Sequence, residues 1–324
     1  MRRREFIALV GGAAVALPRV VCAQQSMPVI VFFNSGTPSA YVKNLAAFRN
    51  GLKEAGLVEG QNFAIEFVWA ENRFDGLESL AAEVIARRPS VIVSNTLAAI
   101  RAKSSTTTIP IVFTTGSDPV RDGLVTSLNR PGGNVTGVVF ISSAVGGKRL
   151  ELLRQFVPKA GTIAMLVNPG SVETDAERAE VEAAAQAVGQ QIRIVEIRST
   201  TEIETAVAAA GAAGAGALLV GSGSFWFNNR GAIVESATRH AIPAMYSTRE
   251  PVEAGGLMSY GASISEAFHQ AGLYTGRILK GEKPGDLPVI QSVKFEFMIN
   301  LKTAKTLGLQ FHPQLLVTAD EVIE

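Results

Sequence analysis

Two similar stretches of the chain carry polar side chains of the kind that bind a small ligand. They are Ile109–Val120 and Ile242–Val252. Each reads Ile-Pro, two apolar residues, an aromatic residue, a hydroxyl residue, threonine, a few polar residues and then Pro-Val. Hydroxyls, amides and the free N–H groups of a helix N-terminus suit a carboxylate ligand. Asp118 or Glu250 could instead meet an ammonium group through a charge-assisted hydrogen bond.

Either stretch alone is also typical of an ordinary connection between a strand and a helix. Ile111–Phe113 is an apolar run of the length expected for a buried strand. Pro119 suits the first turn of a helix, and Asp118 before it is placed to accept a backbone N–H group as the N-cap. The second copy favours the binding hypothesis, because two similar halves that each present such a loop would face one cleft.

The other candidate ligand-binding residues also follow predicted strands. In open α/β sheets, ligands bind in the crevice beyond the carboxyl ends of the strands. Phe140, Trp226 or Tyr246 could enclose an apolar or aromatic group, although Phe140 is equally compatible with the core. The full set of predicted ligand-binding residues is Ser35, Thr37, Asn95, Thr96, Thr115, Asp118, Phe140, Asn168, Ser222, Trp226, Tyr246 and Glu250.

No pattern for catalysis, a metal or a cofactor is recognisable in the sequence. The three histidines, His240, His269 and His312, lack the spacing of metal ligands, and we expect surface or packing roles for them. Motifs for a serine nucleophile, a P-loop or a zinc protease do not occur. Gly221-Ser-Gly223 begins like a dinucleotide-binding fingerprint but lacks the third glycine. The sequence therefore predicts no catalytic residue, no metal and no cofactor.

Strands and helices must alternate to position these loops. Apolar runs such as Val29–Phe33 and Val91–Ser94 predict buried strands, and helical spacing follows, as in Leu45, Phe48 and Leu52. Such alternation predicts a parallel sheet with helices on both faces.

Two series of this kind occur in the chain. They predict an α/β fold of two similar doubly wound parallel-sheet lobes joined by a hinge. The small residues of Ser142–Gly147 mark the first crossing between lobes. We assign residues 27–140 and 263–324 to the first lobe and residues 141–262 to the second. The tail, Phe311–Glu324, is expected to pack back on the first lobe.

Composition bounds the class of protein. The chain of 324 residues can hold one large or two modest domains with ample core. Hydrophobic residues make up 47% and charged residues 18%, a balance typical of a folded globular protein. The net charge is +1 and no basic cluster follows the N-terminal segment, so no nucleic-acid partner is expected.

Residues 1–23 have the features of an export signal. Arg2-Arg3-Arg4-Glu5-Phe6-Ile7 is a twin-arginine-like start, and small residues favour cleavage near Ala23. The apolar run between them is too short for a membrane anchor, which needs about 20 residues. The only cysteine, Cys22, lies within this segment, so the mature chain would be cysteine-free and slightly acidic. A lipoprotein site at Cys22 is the alternative, which the preceding Val21 fits poorly.

Six phrases of the sequence together resemble one protein family. They are Ile109–Val120, Asn129–Gly137 (NRPGGNVTG), Lys148–Leu153 (KRLELL), Gly255–Gly261 (GGLMSYG), Tyr274–Gly281 (YTGRILKG) and Ile299–Gly308 (INLKTAKTLG). Over essentially its whole length, the chain resembles the ABC-importer substrate-binding proteins that include tryptophan- and tyrosine-type binders. That family has the type I periplasmic binding fold.

The resemblance implies an exported, periplasmic solute-binding protein. Its two lobes, linked by three crossings, would close on a small carboxylate-bearing ligand and deliver it to an ABC permease in the inner membrane. The implied ligand is an aromatic or branched amino acid or an aromatic acid. A ligand that touches both lobes binds the closed state more tightly and so shifts the population towards it. We expect a monomer.

Two other classes of protein share this scaffold. An enzyme acting on a small acid would need a reactive group or a cofactor-binding pattern, and none is recognisable. A ligand-sensing receptor domain of a transcription regulator would carry a DNA-binding helix pair at the N-terminus, where the export signal stands. Turnover assays on the purified protein distinguish an enzyme from a binding protein.

Export is the first testable prediction. Fractionation should find a mature chain that begins near Gln24 outside the cytoplasm. Replacing Arg3 and Arg4 by lysine should block export if the twin-arginine route is used. Retention of the full-length chain in the cytosol would contradict the prediction, and normal export of the lysine variant would indicate the general secretory route.

Overall fold

The chain forms two sheets, and a hydrophobic core lies on each face of each sheet. The computed structural model describes residues 27–140, 145–292, 294–309 and 313–324. The predicted export signal and His312 therefore lie outside the described residues. In the described part of the chain, no helix is long and apolar enough to cross a membrane.

A regular alternation of strand and helix builds the first sheet. Strands β1, β3 and β4 are buried almost throughout, as continuous apolar runs predict for a parallel sheet covered on both faces. Successive side chains of β1 enter different cores, Phe32 on one face and Phe33 on the other. The elements in chain order are β1 (Val29–Asn34), α1 (Val42–Glu54), β2 (Ala64–Trp69), α2 (Leu77–Ala86), β3 (Val91–Asn95), α3 (Thr96–Ser105), β4 (Ile111–Thr115) and β5 (Val135–Phe140).

The second sheet repeats this alternation. Its elements are α4 (Gly146–Phe156), β6 (Thr162–Val167), α5 (Thr174–Ala187), β7 (Gln191–Glu196), α6 (Ile203–Ala212), β8 (Ala215–Val220), α7 (Ser224–Asn228), α8 (Arg230–Arg239), β9 (Ala244–Tyr246), α9 (Glu250–Glu253) and β10 (Met258–Ala262). The strand orders β2-β1-β3-β4-β5 and β7-β6-β8-β9-β10 have one topology. Neighbouring strands within these series pair in parallel. The predicted fold of two similar doubly wound lobes is confirmed.

The C-terminal part of the chain contributes to both sheets. Its elements are α10 (Ile264–Leu279), β11 (Ile290–Ser292), β12 (Phe295–Asn300), α11 (Leu301–Thr306), α12 (Pro313–Val317) and β13 (Glu321–Ile323). Strand β11 pairs in parallel with β5 at the edge of the first sheet. Strand β12 pairs antiparallel with β10 and parallel with β13 in the second sheet. The chain therefore passes between the sheets three times, after β5, after β10 and after β11.

The predicted lobe assignment is wrong for the end of the chain. The sequence prediction places all of residues 263–324 in the first lobe, but β12 and β13 complete the second sheet. Phe297 and Ile299 of β12 enter a core of the second lobe. The prediction that the tail packs on the first lobe is likewise wrong for its described part, residues 313–324, because β13 pairs with β12. Alternating apolar residues identify β12 as a strand but do not say which sheet offers it a free edge.

The loop after β4 forms a single turn where a helix was predicted. The N–H group of Asp122 donates to the carbonyl of Asp118 at 3.0 Å. Gly123 then has a φ of +71°, a conformation that ends a helical turn. The helix predicted to begin at Pro119 is therefore wrong. Asp118 does cap the turn, since its carboxylate accepts the N–H group of Val120 at 2.9 Å.

Two glycines allow helices α1 and α10 to pack closely. A Cβ atom added to Gly51 would lie 2.1 Å from the carbonyl oxygen of His269, and one added to Gly272 would lie 2.2 Å from that of Phe48. Both distances are far shorter than van der Waals contact. This contact, which fixes α10 on the first lobe, therefore requires glycine at both positions.

We expect Gly51→Ala to destabilise the protein by about 1–3 kcal/mol, because the new methyl group must push α1 and α10 apart. The matched control is Gly231→Ala. Gly231 lies in α8 with open space around its Cβ position, so alanine there should be neutral or stabilise by up to about 1 kcal/mol. Urea unfolding measures both variants, and equal stabilities would contradict the close helix packing.

Candidate ligand-binding site

A cleft between the two lobes lies at the carboxyl ends of the strands. Together with its opening to solvent, it holds about 450 Å³ of empty space. The first lobe contributes Tyr41, Asn95, Thr96, Thr114, Phe140, Ile264 and Phe268 to its lining. The second lobe contributes Glu173, Gly223, Ser224, Phe227, Ser247 and Thr248.

The topology of the two sheets explains where the cleft lies. The order of strands reverses between β1 and β3 in the first sheet and between β6 and β8 in the second. Loops leave in opposite directions at such a point and open a crevice. Asn95 ends β3, Glu173 follows β6, and Gly223 follows β8. The two reversal points therefore face each other across the cleft. Thr114 near the end of β4 and Thr248 in the loop after β9 extend it.

Aromatic rings from both lobes meet in the cleft. The rings of Tyr41 and Phe227, which come from opposite lobes, have centroids 5.0 Å apart. Phe268 of α10 lies edge-on to Tyr41, with centroids 5.9 Å apart. Burial raises the pKa of the Tyr41 hydroxyl, so that it stays protonated. With Phe140, these rings form an apolar wall suited to an aromatic side group.

A hydrogen-bonded amide connects the two lobes. The Asn95 Nδ2 group donates to Ser35 Oγ at 2.7 Å and to Ser224 Oγ at 3.1 Å, and Asn95 Oδ1 accepts the N–H group of Ser35 at 3.1 Å. Both donor hydrogens of the amide are therefore in use. Ser35 orients Asn95 from within the first lobe, and Ser224 is its partner in the second.

Threonine hydroxyls line the first-lobe side. Thr96 at the start of α3 pairs with Thr115 at 3.0 Å, and Thr115 pairs with Ser117 at 2.8 Å. Among the described residues, the buried hydroxyl of Thr114 has no hydrogen-bond partner. Since buried polar groups are normally paired, Thr114 is available to a ligand in the cleft.

Glu173 is the only charged side chain that the described part of the chain places in this lining. It is 3% exposed, and burial raises the pKa of its carboxyl to about 7. Its own backbone N–H group and Arg121 oppose the rise, while Asp122 adds to it. A Cβ atom at Gly223 would lie 2.6 Å from the Glu173 carboxylate. The carboxyl therefore fits only because residue 223 is glycine.

Three of the predicted ligand-binding residues line the cleft. They are Asn95, Thr96 and Phe140. Two others support the lining from below, because Ser35 holds Asn95 and Thr115 holds Thr96. The predicted strand-end loops of the first lobe thus meet as expected.

Trp226 and Tyr246 lie elsewhere in the structure. Both are buried in a core of the second lobe, 3% and 2% exposed. In each case the next part of the chain lines the cleft instead, namely Phe227 of α7 and Ser247 after β9. Asn168 is also set back, since its amide donates to the Ile197 carbonyl at 2.7 Å and shapes the loop after β6.

The other four predicted residues lie outside the lining. The Ser222 hydroxyl donates to Glu177 at 2.9 Å in a buried network beneath the loop. Asp118 is exposed and caps its turn, and Thr37 pairs with a neighbouring serine. Glu250 is buried behind the lining, where burial raises the pKa of its carboxyl and the Thr248 side chain opposes that rise.

Sequence reasoning missed Tyr41, Glu173, Ile264 and Phe268. Glu173 offers a weak signal, because it follows β6 and precedes the first turn of α5. Tyr41 stands in a short helical turn between β1 and α1, where the exit loop of a strand was expected to be polar. Ile264 and Phe268 lie one turn apart on α10, a pattern that equally describes a core helix.

Comparison with known proteins agrees with this architecture. Residues 27–323 match the family model described as ABC transporter substrate binding protein. A relative named Tyrosine-binding protein, from Clostridioides difficile (strain R20291), is 28% identical over 264 residues, which cover 81% of this chain and 76% of that protein. A solved ABC domain in complex with L-Trp from Streptococcus pneumoniae is 25% identical, with a TM-score of 0.83 over 92% of this chain and 100% of that chain.

A further solved structure is similar over almost the whole chain. A ligand-free, open structure of a substrate-binding protein with adhesive properties from Clostridium difficile is 26% identical and has a TM-score of 0.65 over 92% of this chain and 99% of that chain. The chain belongs to the family of ABC transporter substrate-binding proteins, with the type I periplasmic binding fold.

Proposed function

We propose that this chain is the exported solute-binding component of an ABC importer and that its ligand is a zwitterionic amino acid with an aromatic side chain. The observation that carries the proposal is one buried carboxyl group, Glu173, in a cleft otherwise lined by aromatic rings and neutral hydrogen-bonding groups. The relatives named for tyrosine and solved with L-Trp support the same class of ligand. The proposed function is binding without catalysis.

Glu173 is the proposed partner of the ligand's ammonium group. A buried carboxylate without a cation is unfavourable, which is why burial raises the pKa of this group to about 7. An ammonium group at hydrogen-bond distance would restore the ionised form and make a charge-assisted hydrogen bond. This proposal replaces Asp118 and Glu250, since Asp118 is exposed and Glu250 lies behind the lining.

Neutral donors would meet the ligand's carboxylate. Thr96 begins α3, a helix of 10 residues whose N-terminal N–H groups carry a partial positive charge. The unpartnered hydroxyl of Thr114 and the hydroxyl of Ser224 are further candidates. The lining contributed by the described residues contains no basic side chain. A ligand with a carboxylate but no amine would therefore leave Glu173 unpaired beside a second negative group.

Delivery of the ligand follows from lobe closure. In this structure the lobes touch through the hydrogen bond of Asn95 with Ser224 and through the ion pair of Lys43 with Glu253 at 2.6 Å. A third contact is the hydrogen bond that Arg230 of the second lobe donates to the carbonyl of Ala40 at 3.2 Å. A ligand held by both lobes would add to these contacts and shift the population towards the closed form. The closed monomer would then dock on a membrane permease after export to the periplasm.

Glu173→Gln tests the proposed ligand directly. The change should weaken binding of L-tryptophan or L-tyrosine by roughly 30- to several-thousand-fold, because losing one side of a buried charge pair costs about 2–5 kcal/mol. Calorimetry measures the affinities, with leucine as the branched alternative. The matched control is Asp118→Asn, which removes an exposed carboxylate and retains the cap, so its affinity should be unchanged.

A ligand analogue completes this experiment. An aromatic acid that lacks the amine should bind the wild type weakly and should bind Glu173→Gln at least as well. If Glu173→Gln bound tryptophan and tyrosine as tightly as the wild type does, the proposed role of Glu173 would be contradicted. Tight binding of the aromatic acid alone by the wild type would identify that class as the ligand.

The same variant has an expected effect on the ligand-free protein. With a pKa of about 7 against an ordinary 4.5, the folded state binds more protons than the unfolded chain between these values, so stability falls as the pH rises through this window. Glu173→Gln has no carboxyl to ionise, so its free energy of unfolding at pH 8 should exceed that of the wild type by up to about 3 kcal/mol. Near pH 4, where Glu173 is protonated, the two proteins should be equally stable. Urea unfolding at several pH values tests this, and parallel profiles for variant and wild type would contradict it.

A further inference from the structure

We propose that Arg121 is a positioning residue of the closed cleft, which ties the first lobe to the loop that carries Glu173 and so couples lobe closure to the negative charge of Glu173. The inference rests on the proposed role of Glu173 in ligand binding. Arg121 lies outside the lining of the cleft, and so would act through its neighbours and not by touching the ligand.

Arg121 makes a hydrogen bond between the lobes. It stands in the turn after β4 of the first lobe, and its Nη2 group donates to the carbonyl of Val172 at 3.0 Å. Val172 precedes Glu173 in the loop between β6 and α5 of the second lobe. Opening of the lobes would separate these two groups, so the bond stabilises only the closed arrangement.

A chain of hydrogen bonds leads from Arg121 back to the cleft. Its Nε group donates to Asp122 at 3.1 Å, and the second carboxylate oxygen of Asp122 accepts the hydroxyl of Ser117. Ser117 pairs with Thr115 at 2.8 Å, and Thr115 pairs with Thr96 at 3.0 Å. The guanidinium is therefore held in place by the same polar residues that support the first-lobe lining.

The charges around Glu173 give Arg121 a second effect. The first-lobe turn brings two charged groups towards the carboxyl, Arg121 and Asp122, and they act in opposite directions. In its own lobe, the carboxyl lies against Gly223, and the hydroxyl of Ser171 lies near the same Cβ position of Gly223; both residues are uncharged. Arg121 is thus the cation that favours the ionised form of Glu173, and it does so only while the lobes are closed. Its side chain is 44% exposed, so solvent screens part of this attraction.

The contact and the charge have one consequence for binding. Closure brings Arg121 to the Glu173 loop, the ionised carboxylate then pairs with the ligand's ammonium group, and the bound ligand in turn holds the lobes together. Removal of Arg121 should therefore speed ligand release. It should also raise the pH below which binding weakens, because Glu173 would take up a proton more readily.

The test compares Arg121→Gln with Arg130→Gln. Both changes remove one positive charge from the first lobe, but the exposed Arg130 side chain makes no ion pair or hydrogen bond with the described residues. We expect Arg121→Gln to weaken binding of L-tryptophan about three- to thirty-fold through faster dissociation. The loss should be greater at pH 6 than at pH 8. Arg130→Gln should match the wild type at both pH values.

A double-mutant cycle separates this role from a merely structural one. In the Glu173→Gln background, Arg121→Gln should have a smaller effect on affinity, because its electrostatic partner is already absent. An equal loss in both backgrounds, with no dependence on pH, would overturn the coupling to Glu173. Affinities of Arg121→Gln equal to those of Arg130→Gln would overturn the proposal altogether.

A distance measurement tests the inter-lobe contact without any ligand. The mature chain is expected to lack cysteine, so cysteines introduced at the exposed Glu83 of α2 and Gln186 of α5 can carry a pair of spin labels. Arg121→Gln should shift the ligand-free distances towards longer values, whereas Arg130→Gln should not. Unchanged distances would overturn the contact. If the wild type bound no aromatic amino acid, the proposed ligand would be wrong. The distance measurement would still show whether Arg121 holds the lobes together, because it uses no ligand.

Discussion

A carboxyl group held out of water between two lobes is the constraint on which the chemistry of the cleft depends. Glu173 is almost completely buried, and a buried charge is unfavourable unless an opposite charge or several donors meet it. Gly223 leaves the space for it. Without a ligand, the buried carboxylate is relieved either by taking up a proton or by opening of the lobes to water. A cationic group in the cleft stabilises the ionised carboxylate without either change, so this one side chain links the charge of the ligand to the arrangement of the lobes.

The two lobes share a topology but differ in what they bring to the cleft. The repeated strand order makes the reversal points of both sheets face each other. The first lobe supplies most of the aromatic wall and the amide of Asn95, whereas the second supplies the carboxyl of Glu173. Equivalent positions in the fold thus carry unlike groups. That inequality can orient a ligand with unlike ends, which a symmetric pair of lobes could not do.

Much of this fold could be predicted because its strands are buried on both faces. The apolar runs of β1, β3 and β4 identify a parallel sheet, and the polar residues after them identify its binding edge. The prediction failed where neighbours in sequence point in different directions. Trp226 enters the core while Phe227 reaches the cleft, and no pattern in a helix of five residues distinguishes them.

Glu173 could not be selected from the sequence for a related reason. The acidic residues considered, Asp118 and Glu250, stand in the repeated stretches, whereas Glu173 stands in a loop without a counterpart of that pattern. Its importance comes from burial and from the missing side chain at Gly223, 50 positions away. Both are properties of the folded chain. The pairing of β12 with β10 is hidden in the same way, because an alternating strand does not record its neighbour.

The return of the chain to the first lobe has a consequence for how the protein can be made. One edge of strand β5 has no pairing strand until β11 has been synthesised. Likewise, the face of α1 that carries Gly51 has nothing to pack against until α10 has been synthesised. Both elements follow the whole of the second strand series. A chain emerging from its N-terminus therefore carries an unfinished sheet with an open edge, the kind of surface that recruits other chains. The first lobe cannot be the early, self-sufficient folding unit that its place in the sequence suggests.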